Sequence, residues 1–272
     1  MKALISLGLL SIFIYGIVLD FRFAQRLKRG ELNFRVGVVP WEWRDIAWVI
    51  LFFFIGGHFL GFVLRKLQLD PMSSKCALLY LNYFLQVLTI GFLLFYVKAK
   101  YSFKIFSFYG GASFNPPLLI LILKSYCAAV PLILAAALLS KGLTSFFNLP
   151  PDPQPIVNFI QEEAKQGRGF IWLPFACIVS PFLEEIFFRG FIYPAIKKYW
   201  KIVPSMILTS VFFGSLHLSV SAFLPIVVLG LVLNCLYEKT GSLWAPMLFH
   251  GFNNLAATLV VVFVMPHREM HS

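Results

Sequence analysis

Six polar residues in the last third of this chain stand in apolar runs, at spacings that would let them do chemistry together. Glu184 and Glu185 are adjacent, and Arg189 follows the second by four residues. No other carboxylate lies inside a predicted span. An ionised side chain at membrane depth costs several kcal/mol, so each must face protein or water and find a partner. Successive helix positions point about 100° apart, so the two glutamates do different jobs. Glu185 shares a face with Arg189 and is neutralised by it, which leaves Glu184 freer to meet water or substrate. His217 ends the run Phe212-Phe213-Gly214-Ser215-Leu216-His217; an imidazole titrates near neutral pH and can share a water proton with a carboxylate. His250 and Asn254 are four apart, again on one helical face. Both can donate hydrogen bonds, and two donors on a rigid helix suit the oxyanion formed when water attacks a carbonyl. Asn253 points elsewhere and reads as structural.

Each residue also has a plainer explanation. Glu185 and Arg189 alone could be a buried ion pair that fixes helix packing, His217 a packing residue, and Asn254 an interhelical hydrogen bond. Other hydrolytic designs fit less well. Every aspartate (Asp20, Asp45, Asp70, Asp152) lies outside the predicted spans, so a two-aspartate intramembrane peptidase is excluded. No H-E-x-x-H occurs, and Gly214-Ser215-Leu216-His217 has the wrong layout for a serine nucleophile. Of the remaining intramembrane polar groups, His58 reads as packing and Lys124 as snorkelling. Asn82, Gln86 and Asn234 read as helix–helix contacts.

The elements that must hold these residues are membrane helices. Hydrophobic residues make up 59% of the chain and charged ones 13%, and mean hydropathy is +0.81. A soluble domain carries about 25% charged residues, so water is not the main solvent of this surface. Thirty-one phenylalanines fit a lipid-facing exterior. The net charge of +11 falls between apolar runs, the juxtamembrane pattern, and no basic stripe with interleaved aromatics points to nucleic acid. The four cysteines are scattered without a C-x-x-C pair, against a disulfide framework or zinc ribbon.

The predicted spans are 3–19, 46–64, 76–97, 117–139, 170–196, 203–219, 221–236 and 244–265, an all-α fold of about eight transmembrane helices. The first is read as a retained span, because no small-x-small cleavage site follows it. Residues 1–140 form an N-terminal four-helix region. A connection at 141–169 runs through Pro150-Pro151-Asp152-Pro153-Gln154-Pro155 to a short amphipathic helix, and residues 170–272 form the core that carries the chemistry. The excess of Lys and Arg at 20–45 puts that connection in the cytoplasm and both termini outside, with Trp41 and Trp43 as interfacial anchors.

With the residues in view, a resemblance emerges. Glu184-Glu185-Ile186-Phe187-Phe188-Arg189 fits E-E-x-x-x-R, Phe213-x-x-x-His217 fits F-x-x-x-H, and His250-x-x-x-Asn254 fits H-x-x-x-N. In this order on successive helices they resemble the CPBP family, the CAAX proteases and bacteriocin-processing enzymes also called the Abi family. Gly241-Ser242-Leu243-Trp244-Ala245-Pro246 is also similar to members of that family, and the likeness covers roughly residues 170–265. It implies an eight-helix fold around an intramembrane cavity and peptide hydrolysis in the cell membrane without a covalent acyl-enzyme. Glu184 and His217 would activate water, His250 and Asn254 would stabilise the oxyanion, and Glu185 and Arg189 would shape the site. No cofactor is expected. The partners implied are the lipid bilayer and a membrane-anchored protein or peptide, which in the type II CAAX prenyl endopeptidase branch is a C-terminal tripeptide beside a prenylated cysteine. Two alternatives stay open: a zinc protease holding its metal on Glu184, His217 and His250, and a non-enzymatic immunity or scaffold protein.

Overall fold

The computed structural model describes residues 2–31, 34–37, 39–66, 75–103, 116–150, 152 and 154–263. Among them every regular element is helical. The helices are α1 (Lys2–Lys28), α2 (Trp43–Lys66), α3 (Lys75–Tyr101), α4 (Pro116–Phe146), α5 (Pro155–Lys165), α6 (Gly169–Tyr199), α7 (Ile202–Ser215), α8 (Val220–Thr240) and α9 (Trp244–Phe263). Among the described residues, five stretches are long and apolar enough to cross a membrane: α2, Leu79–Tyr101 of α3, α4, α6 and α8. The helix α7 is apolar but only 14 residues long. Outward-facing side chains such as Phe21, Phe59, Phe95 and Phe146 are more than half exposed, as a surface solvated by lipid tails permits. This is a multi-pass membrane protein.

Side-chain contacts fix how the helices run. Asp45 in the first turn of α2 accepts hydrogen bonds from Lys100 Nζ (2.5 Å) and the Tyr101 hydroxyl (2.6 Å) at the end of α3, so α2 and α3 are antiparallel. Tyr80 near the start of α3 meets Trp172 near the start of α6, so those two run in the same direction. Ser140 in the last part of α4 donates to the Ser221 carbonyl (2.8 Å) at the start of α8. The core joins both halves of the chain: Val49 and Leu93 belong to the same buried cluster as Phe191, Phe213 and Phe249.

Three sequence expectations need adjustment. Trp41 is not an interfacial anchor but fully buried: its indole N–H donates to the Phe191 carbonyl (2.9 Å) and its ring stacks on Phe191. Trp43 is 65% exposed. Asp45 lies inside α2 rather than before it, because its carboxylate accepts the Glu42 N–H (2.7 Å) and the helix starts at Trp43. Asp20 likewise falls within α1. Finally, α7 ends at Ser215, so His217 sits in the turn to α8 rather than on a helix. That turn is fastened by Asp152, whose carboxylate accepts from Ser221 N (3.0 Å), Val220 N and the Ser221 hydroxyl. The Ser219 side chain caps α8 by accepting from Ala222 N (3.1 Å).

Candidate active site

The long helix α6 carries the centre of the site at its midpoint. The regular stretch Ser180–Glu185 is flanked by two widened, π-helical turns, Phe175–Val179 and Ile186–Ile192. Such turns leave carbonyls without their usual helical donor and recur at functional sites. Pro181 has no N–H to give the preceding turn. The Ala176 carbonyl in that turn is taken instead by Asn254 Nδ2 of α9, at 2.9 Å. The same opening admits α9 itself: a Cβ on Gly251 would fall 2.5 Å from the Cys177 carbonyl oxygen, so only glycine allows this approach.

Glu185 and Arg189 are fully buried and paired, Arg189 Nη1 lying 3.0 Å from Glu185 Oε1. Arg189 Nη2 donates to the Gly230 carbonyl of α8 (3.1 Å), and the guanidinium rests on the Phe213 ring of α7. His250 from α9 completes the group, its Nδ1 2.9 Å from Glu185 Oε1. The expected role of Glu185, a residue neutralised by Arg189, therefore has its geometry, and His250 joins the pair. On the other side of the ring, His250 Nε2 stands 3.9 Å from Glu184 Oε2. Glu184 is 21% exposed; its Oε1 accepts from the Ser180 hydroxyl, and its Oε2 is buried with no hydrogen-bond partner among the described residues.

His217 stands across Phe213 from this cluster. Its Nδ1 is 2.8 Å from the Phe213 carbonyl, and both its ring and that of His250 meet Phe213 edge-on, at 4.7 and 5.7 Å. With Nδ1 protonated toward the carbonyl, His217 turns a bare Nε2 outward. Glu184, Glu185, Arg189 and His250 thus stand in direct contact, while Asn254 and His217 border them from one turn along α9 and from the α7–α8 turn.

Several participants carried no sequence signal. Ser180 and Tyr83 adjoin Glu184. Glu238, on α8, is a further fully buried carboxylate, held by Tyr193 OH (2.6 Å), Lys197 and the Val36 N–H (3.3 Å). Its position two residues beyond the predicted span hid it. Asn234 does act as interhelical glue, donating to the Met206 carbonyl and Ser210 hydroxyl of α7, each at 3.1 Å. Among the described residues, no group of three or more His, Cys, Asp or Glu is placed to hold a metal ion.

Fold and site together define a helical membrane protein with a buried acid–imidazole cluster midway along one helix. Comparison with known proteins bears out the resemblance read from the three motifs. Residues 166–256 match the family model of the type II CAAX prenyl endopeptidase Rce1-like proteins. The same comparison with individual proteins finds 33% identity over 85 residues to "Putative membrane peptidase YdiL" of Bacillus subtilis (strain 168). That alignment covers 31% of this chain and 34% of the relative, so the chain spans about a third of the relative's length. No solved structure gives a significant match.

Proposed function

We propose that this protein is an intramembrane endopeptidase of the cell membrane that hydrolyses a peptide bond of a membrane-anchored substrate with a glutamate-activated water. One observation carries the reading: Glu184 Oε2 is buried without a donor, 3.9 Å from His250 Nε2, in the middle of a membrane helix. A carboxylate oxygen left so is costly unless its function is to accept a proton. The likeness of residues 166–256 to CAAX prenyl endopeptidases supports peptide hydrolysis in particular.

In this mechanism Glu184 takes a proton from water, with His217 as the second base, while the water oxygen bonds to the substrate carbonyl carbon. The negative charge moves to the carbonyl oxygen. Asn254, which spends one of its two amide hydrogens on Ala176, donates the other to that oxyanion. His250 assists from Nε2 when its ring is protonated at both nitrogens and Nδ1–H is held by Glu185. Collapse of the adduct breaks the C–N bond, and the proton held by Glu184 passes to the leaving amine. Glu185 and Arg189 fix the His250 ring.

The test is cleavage of a farnesylated peptide ending in a CAAX sequence by purified protein in liposomes. Glu184→Gln and His217→Ala are expected to abolish it at unchanged protein level; activity retained by either variant would refute the roles assigned. Comparison of protein C-termini in cells with and without the active protein then identifies natural substrates without presuming prenylation.

A further inference from the structure

The N-terminal half of the chain, which has no counterpart in the family match, reaches the site through α3. Tyr83 of α3 is 91% buried and packs its ring on Phe175 (5.4 Å between centroids), five residues before Ser180. Ser180 lies one turn before Glu184 and donates its single hydroxyl proton to Glu184 Oε1. We infer that Ser180 is the positioning residue for Glu184: it occupies Oε1 and so leaves Oε2 as the carboxylate oxygen that faces His250.

The inference rests on Glu184 being the water-activating base, and the surroundings show why a positioning group is needed. Glu184 faces Glu185 and Arg189 on its own helix and His250 on α9, with Tyr83 on α3; His217 stands beyond Phe213. Arg189 is spent on Glu185 and the Gly230 carbonyl, and His250 Nδ1 on Glu185. Among the described residues, Ser180 is therefore the group that donates a hydrogen bond to Glu184. Without it, the carboxylate is free to rotate about its last side-chain bond and present either oxygen to His250. A hydrogen bond to a charged group is also among the stronger ones, so its loss is measurable.

The experiment compares wild type, Ser180→Ala, Ser180→Thr and Glu184→Gln in liposomes, by two readouts. The first is kcat and KM for the farnesylated CAAX peptide. Ser180→Ala is expected to lower kcat about tenfold with KM changed less than about twofold, while Ser180→Thr, which keeps the hydroxyl, restores most of the rate. The second needs no substrate: the carboxylate stretch that disappears from the infrared spectrum of Glu184→Gln should shift in Ser180→Ala and stay in place in Ser180→Thr. Wild-type kcat in Ser180→Ala together with an unshifted band would overturn the inference while leaving the glutamate mechanism standing. An active Glu184→Gln would overturn the mechanism itself, and the infrared band alone would then decide whether Ser180 holds Glu184.

Discussion

Removing Arg189 should be among the most damaging single changes to this protein, and the structure sets its size. Arg189 and Glu185 are both fully buried with 3.0 Å between charged atoms. At an effective dielectric of about 20, such a pair attracts by about 5.5 kcal/mol. Desolvation consumes most of that, yet breaking the pair from one side leaves Glu185 as an uncompensated buried charge, at a cost of about 3–5 kcal/mol. Arg189→Gln also frees the Gly230 carbonyl and the Phe213 ring, so the upper part of that range applies. The expected fall in thermal midpoint is roughly 10 °C, measured by the temperature dependence of monodisperse protein in detergent. The paired change Glu185→Gln with Arg189→Gln removes both charges and should recover at least about half of the loss. A drop below about 2 °C in the single variant, or a double variant as unstable as the two singles summed, would refute the account of Glu185 as a carboxylate that needs Arg189.

Three further outcomes are expected. Gly251→Ala forces α9 away from the Cys177 carbonyl, which its Cβ would approach to 2.5 Å, and should destabilise by about 2 kcal/mol or more while cleavage falls with it; a stable, active variant would contradict the close approach. The Arg168 side chain, bonded to Glu163 through Nε and Nη2 at 3.0 Å each, holds the Glu163 carboxyl below its ordinary value of 4.5. A depressed folded-state value means that this contribution is present above pH 4.5 and lost as pH falls below it, so the thermal midpoints of wild type and Arg168→Met should differ near neutral pH and converge in acid. Trp41→Phe keeps an aromatic ring but loses the donor to the Phe191 carbonyl at 2.9 Å and part of a fully buried indole, and should lower stability by about 1 kcal/mol or more, measured in the same thermal assay.

What the sequence disclosed and what it hid follow one physical rule. Glu184, Glu185, Arg189, His250 and Asn254 were legible because a charge or an amide in an apolar helix is expensive, and because spacings of four put partners on one face whatever the rest of the fold does. Helical periodicity fails where the helix departs from it. His217 was read onto a helix that stops at Ser215, and α6 widens into π-helical turns on both sides of Ser180–Glu185, at prolines and glycines whose spacing does not announce which carbonyl will be left open. Contacts between distant segments were equally silent. Trp41 reaches Phe191 across 150 residues, Val36 reaches Glu238 across 202, and Tyr83 reaches Phe175 from a different helix, each through a residue type that is ordinary in its own stretch. The signal that could have found Glu238 was its isolation, a carboxylate beside Tyr237 at the end of an apolar run with Lys197 as the complementary charge on α6. The four polar groups of the centre are thus specified locally. The directions in which they point are set by Ser180, α8 and α9, and for that reason the sharpest test of the mechanism lies in Ser180, outside the motif.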